Sequence, residues 1–129
     1  MKRMIISLFL LSLMTSKLMA GELDITTLMS RDLTDVLGKE VSMITVEYPP
    51  GWSDPVHRHY AQSFVYVLEG SVVMQLEGGK EVTLSPGQTF YEGPADVHVV
   101  GRNASKTRPA KMLIVLVKAK GAPILVPVK

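Results

Sequence analysis

The sequence predicts an all-β sandwich or barrel, and three observations carry the prediction. From Glu40 onward, short runs rich in β-branched and apolar residues recur at roughly 8–12-residue spacing. Turn signals separate them, among them Pro49-Pro50-Gly51, Gly78-Gly79, Ser85-Pro86-Gly87 and Gly93-Pro94. Almost nothing after residue 20 keeps the 3.6-residue apolar period of a helix. At 129 residues the chain is long enough for one core and too short for two.

Residues 1–20 stand apart. Lys2 and Arg3 precede an apolar run from Met4 to Met14, and Thr15 to Ala20 form a more polar exit. This is the layout of a cleaved signal peptide, which predicts a periplasmic or secreted protein. The run falls short of the ~20 residues a spanning helix needs, so no stable membrane association is expected after cleavage. Residues 21–39 read as an irregular lead-in with room for a short strand. Leu28, Leu33, Val36 and Leu37 would line one side of a helical turn, but Thr26, Thr27 and Thr34 oppose it, and Gly38 closes the segment.

Residues 40–129 form the expected β-domain. Glu40 to Tyr48 is the first strong strand, ended by Pro49-Pro50-Gly51. Val56 to Tyr60 carries two histidines. Phe64–Leu68 and Ser71–Leu76 flank Glu69-Gly70, a connection suited to a hairpin. Glu81–Leu84, Thr89–Glu92 and Val97–Val100 follow. Ala110–Lys118 is the longest apolar strand, with Met112 and, earlier, Met74 as core fillers. The tail from Ala122 to Val128 contains Pro123 and Pro127, which suits an edge position.

Charge and cysteine content narrow the function. The whole chain carries 14 basic and 12 acidic residues, but Lys2, Arg3 and Lys17 belong to the leader. Without those three, basic residues no longer outnumber acidic ones, and no nucleic-acid partner is expected. There is no cysteine, which excludes disulfides and thiolate chemistry.

The chemistry concentrates in His57, His59 and His98, the only three histidines. On a strand, His57 and His59 share a face and stand about 6–7 Å apart, close enough to converge on one metal ion. Around them, Trp52 lines a pocket mouth or packs in the core. Glu92 joins the metal, orients an imidazole from behind it, or faces solvent. Arg102 shares the parity of His98 if that strand continues, and would then reach a substrate anion; otherwise it is a solvated strand end.

These residues resemble the cupins, small double-stranded β-helix (jelly-roll) barrels whose metal site spans two motifs. The first is similar to Gly51-x5-His57-x-His59-x3-Ser63-x6-Gly70, with Ser63 where the family usually has a ligating Glu. The second is matched by Gly87 and His98; Gly93 replaces the usual Pro, Ala95 the usual Gly, and Asn103 comes one residue late. The resemblance implies one divalent transition metal (Fe, Zn, Cu, Mn or Ni) at His57, His59 and His98, with no carboxylate. Gln62 becomes a fourth ligand only if a bulge turns it inward. Phe64 and Tyr66 alternate away from Ser63 to core or to a dimer contact.

Three neutral ligands would leave the ion its full charge and favour an anionic chelating substrate. Two functions remain open at this stage. The first is a metal-dependent dioxygenase acting on a small chelating anion. The alternative is a non-catalytic, metal-dependent binding module for a small anion or sugar-like ligand. The sequence shows no general acid or base that would decide between them. A homodimer is expected from the apolar edge segments and from the habit of the family.

Overall fold

The computed structural model describes residues 21–129, and all of its regular structure is β. The leader expected over residues 1–20 lies outside the described residues. Among those described, no helix is long and apolar enough to cross a membrane. Ten strands run in chain order: β1 (Asp24–Asp32), β2 (Lys39–Tyr48), β3 (His57–Arg58), β4 (Ala61–Glu69), β5 (Val72–Leu76), β6 (Val82–Leu84), β7 (Thr89–Glu92), β8 (His98–Asn103), β9 (Ala110–Ala119) and β10 (Val126–Pro127). They form two five-stranded antiparallel sheets, ordered β1-β2-β9-β4-β7 and β10-β3-β8-β5-β6.

Alternation along the strands builds the core between the sheets. Ile44, Val46 and Tyr48 on β2 point inward, as do Val65 and Val67 on β4 and Met112, Ile114 and Leu116 on β9. Val72 and Met74 on β5 answer them from the opposite sheet. This is a jelly-roll, two antiparallel sheets packed face to face around one core.

Two local features depart from the simplest reading of the sequence. Residues 24–32, expected as part of an irregular lead-in, form a nine-residue strand paired along β2 from Asp24–Glu47 to Asp32–Glu40. Weak intrinsic preference is overridden by this long ladder, and Gly38, with φ of 79°, helps turn the chain into β2. The second feature is a register shift between β5 and β8. Leu76 pairs with His98 but Gln75 pairs with Val100, so β8 carries one extra residue. Such a bulge reverses parity beyond it. Gly101 and Asn103 therefore face inward with His98, and the late Asn103 still reaches the interior.

Candidate metal centre

The three histidines converge. His57 on β3 lies directly opposite His98 on β8, and alternation brings His59 to the same side. Tyr60, at φ of 48°, then turns the chain into β4. The His57 Nδ1–H donates to the Pro55 carbonyl at 2.8 Å, and the His59 Nδ1–H donates to the Ile124 carbonyl at 2.7 Å. A carbonyl only accepts, so each ring keeps its proton on Nδ1 and aims the Nε2 lone pair inward. Those two Nε2 atoms stand 3.2 Å apart, and His98 Nδ1 lies 3.3 Å from His57 Nε2.

A carboxylate completes the group, which corrects the expected carboxylate-free set. Glu92 Oε2 is 3.2 Å from His59 Nε2 and 3.4 Å from His98 Nδ1. It belongs to β7, and its direct ladder partner is Ser63 on β4. Directly paired residues share a face. Ser63 is fully buried, so Glu92 is turned inward beside it, while the neighbouring pair Phe64–Tyr91 points outward. The acid missing from β4 is supplied across the ladder. Phe90 packs against the core, and Glu92 shares its face on β7, the one sequence signal that could have placed it.

Four ligand atoms of His57, His59, Glu92 and His98 lie within 4.8 Å of one another, all buried. Imidazole nitrogens and a carboxylate suit a divalent transition ion. Acceptor atoms this close need positive charge between them, a shared proton or a metal ion, and two of the three rings already carry the carbonyl partners that typically orient metal-bound histidine. The donor set fits a metal.

Without an ion the group shares protons instead. Burial opposes charge on His59, but the hydrogen bond and charge of Glu92 outweigh it and raise the imidazole above its usual range. Burial likewise pushes Glu92 up, yet the His59 hydrogen bond and the nearby histidine charges hold it below the usual carboxylate range. His98 is lowered, chiefly by burial.

The remaining candidates fall elsewhere. Gln62 lies on the other face of β4, where its side-chain oxygen accepts from the Tyr91 hydroxyl. Arg102 is turned outward by the β8 bulge and stands 3.5 Å from Glu81, both partly exposed. Trp52 stacks near Tyr48, with ring centroids 6.5 Å apart, and its Nε1–H donates to Asp54 at 2.7 Å. Asp54 and Tyr48 line the cavity beside the histidines, and neither was singled out by sequence reasoning. Their nearness depends on a turn, an isolated bridge between Ser53 and Arg102, that strand parity does not describe.

The cavity measures about 30 Å³, room for one or two waters. Its walls are mostly aliphatic, with Leu23 and Ile25 from the start of the described chain and Ile124 and Leu125 from the tail.

The sequence profile of the cupin domain matches residues 44–116, more than half of the chain. The chain belongs to the cupin family. No curated protein matches it. Among solved structures, this cupin is similar to oxalate oxidase in complex with the substrate analogue glycolate, at 26% identity and TM-score 0.62, covering 82% of this chain and 55% of that one. It is also similar to the DMSP lyase DddQ from Ruegeria pomeroyi DSS-3, at 25% identity and TM-score 0.57, covering 67% of this chain and 42% of that one. The cupin domain of Schizosaccharomyces pombe Cnp3 shares the fold at 13% identity and TM-score 0.63, over 74% of this chain and 61% of that one. The chain spans less than two thirds of each of these three.

Proposed function

We propose that this cupin is an exported, metal-dependent oxidoreductase that oxidises a small carboxylate-bearing anion with O₂. The observation that carries the reading is the convergence of four buried ligand atoms, three imidazole nitrogens and one carboxylate oxygen, within 4.8 Å. The likeness to oxalate oxidase supports the substrate class. A bound divalent ion would supply Lewis acidity and, if redox-active, an electron path to O₂.

The chain's own residues set what such a site accepts. Glu92 cancels one unit of the ion's charge, so the filled centre attracts an anion less strongly than a purely histidine site would. Ile44, Val46, Met74, Ile114 and Leu116 line the cavity with apolar surface, which limits water and strengthens the remaining electrostatics. With room for only one or two waters, the cavity admits such an anion when the tail around Ile124, part of its wall, moves aside. Exposed Phe64, Tyr66 and Tyr91 on the outer face of β4 and β7 support a homodimer, to be checked by sedimentation.

The test is metal analysis of the purified mature protein beside His57→Ala, followed by oxygen uptake with glycolate, oxalate and small keto acids. Near one ion per chain is expected for the wild type and far less for the variant, with uptake only from the loaded wild type. Full loading without uptake for any of these acids would replace the enzyme reading with a metal-dependent binding module.

A further inference from the structure

We infer that Asp54 is a positioning residue of the metal centre: its carboxylate borders the Nε2 edge of His98 across a space that Gly101 leaves open, and takes up the Nε2–H through a water there or on a small rotation of the ring. The inference rests on the metal-site reading above and deepens it. His98 faces the cluster through Nδ1, unlike His57 and His59, which face it through Nε2. With Nδ1 committed to a cation, the ring proton of His98 must sit on Nε2. The other two rings each anchor their outer N–H on a backbone carbonyl. The Nε2 of His98 is buried and has no hydrogen-bond partner.

Gly101 shows which group faces that atom. A Cβ built there would stand 2.8 Å from Asp54 Oδ2, 3.0 Å from His98 Cε1 and 3.2 Å from His98 Nε2. The carboxylate and the ring edge thus border the same missing methyl. Gly101 does not have a left-handed φ, so the backbone makes no demand for glycine at this position. The demand is spatial. A single water in this space, or a small rotation of the ring on ligation, links the two groups.

Asp54 is held for that task from three directions. Its backbone N–H donates to the Gly101 carbonyl at 2.7 Å. The Trp52 Nε1–H donates to Oδ1, and the Tyr48 hydroxyl donates to Oδ2. Burial, with the negative charge of Asp54, raises the Tyr48 phenol far above its usual range, so Tyr48 stays protonated and keeps donating. A carboxylate behind a ligating imidazole fixes the ring's orientation and raises its basicity as a ligand.

The experiment compares wild type, Asp54→Asn, Gly101→Ala and Trp52→Phe, using Co²⁺ as the probe. Affinity is read by chelator competition, ligand geometry by the Co²⁺ absorption bands, and folding of the ion-free proteins by circular dichroism. Asp54→Asn is expected to bind one Co²⁺ per chain with affinity roughly 10–100-fold weaker and with shifted bands. Gly101→Ala should move both readouts the same way, because its methyl would crowd the carboxylate and the ring edge together. Trp52→Phe should weaken binding less, since the carboxylate itself remains; it carries the test if the Asp54 variant does not fold. Wild-type affinity and an unchanged spectrum in the folded Asp54→Asn protein, or in Trp52→Phe where that variant stands in, would overturn the inference while leaving the metal site standing. A wild type that binds no Co²⁺ would overturn the metal-site reading itself.

Discussion

The two sheets build the centre by different means. The sheet of β3 and β8 delivers its histidines by local rules: alternation sets His59 beside His57, and direct pairing sets His98 opposite. The sheet of β4 and β7 delivers a carboxylate by exchange across a ladder, with Ser63 keeping the β4 position and Glu92 reaching inward from β7. The difference teaches that a ligand belongs to a place on the inner face, which two paired strands can both reach. A motif written along one strand sees only half of that place.

The sharpest way to break the comparison is to remove the exchanged acid. Glu92→Gln keeps size and hydrogen-bonding capacity but loses the charge. It should weaken divalent-metal affinity by more than the roughly 10–100-fold typical of losing an outer partner, because the carboxylate is itself a candidate ligand. Isothermal titration of the ion-free protein with Zn²⁺ checks this, and affinity within threefold of wild type would remove Glu92 from the ligand set.

A smaller effect comes from moving the acid back. In the double variant Ser63→Glu/Glu92→Ser, the carboxylate returns to β4 while both residues stay in register. The double variant should recover part of the affinity lost in Glu92→Ser alone, because the same inner-face position is being filled from the other strand. Recovery no better than the single variant would show that the two strand positions are not equivalent.

How much of this was legible in the sequence follows the same divide. His57, His59 and the turn residues around them are spaced by rules local to one strand, so the fold class and the histidine group could be read directly. Glu92 was visible only as an acid of undecided direction, because its orientation depends on pairing with Ser63, 29 positions away. Arg102 was read with the parity of His98, and the extra residue in β8 reversed it. Asp54 was missed because its placement depends on Gly101 having no side chain, a cross-chain fact without local periodicity.

Proton sharing between the two sheets gives a further, subtler test on the ion-free protein. Glu92 is held below the ordinary carboxylate value of 4.5, so its contribution to stability is present above that value and is lost as pH falls through the lowered folded pKa. His59 is raised above 6.5, so its contribution is complete below 6.5 and is lost as pH rises through the raised folded pKa. The pair therefore stabilises most between about 4.5 and 6.5. His98, lowered by burial, works against it on the acid side of 6.5. In Glu92→Gln, the two largest contributions opposing burial of His59 are lost, leaving only the Ile124 carbonyl and the charge of Asp54, and its midpoint should drop in an NMR titration. An unchanged His59 midpoint would mean that the two sheets do not share a proton.

The smallest expected effect belongs to Ser63 itself. Its hydroxyl is buried without a hydrogen-bond partner, and leaving such a group unsatisfied costs about 1–3 kcal/mol. Alanine removes that group at the price of a cavity smaller than a methyl. Ser63→Ala should therefore leave ion-free stability unchanged or raise it by up to about 1 kcal/mol, measured by urea unfolding. Zn²⁺ affinity should stay at the wild-type level, since Glu92 occupies the face that Ser63 only makes room for. A marked loss of affinity in Ser63→Ala would instead give the serine oxygen a direct part in holding the ion, and the division of labour between β4 and β7 would have to be redrawn.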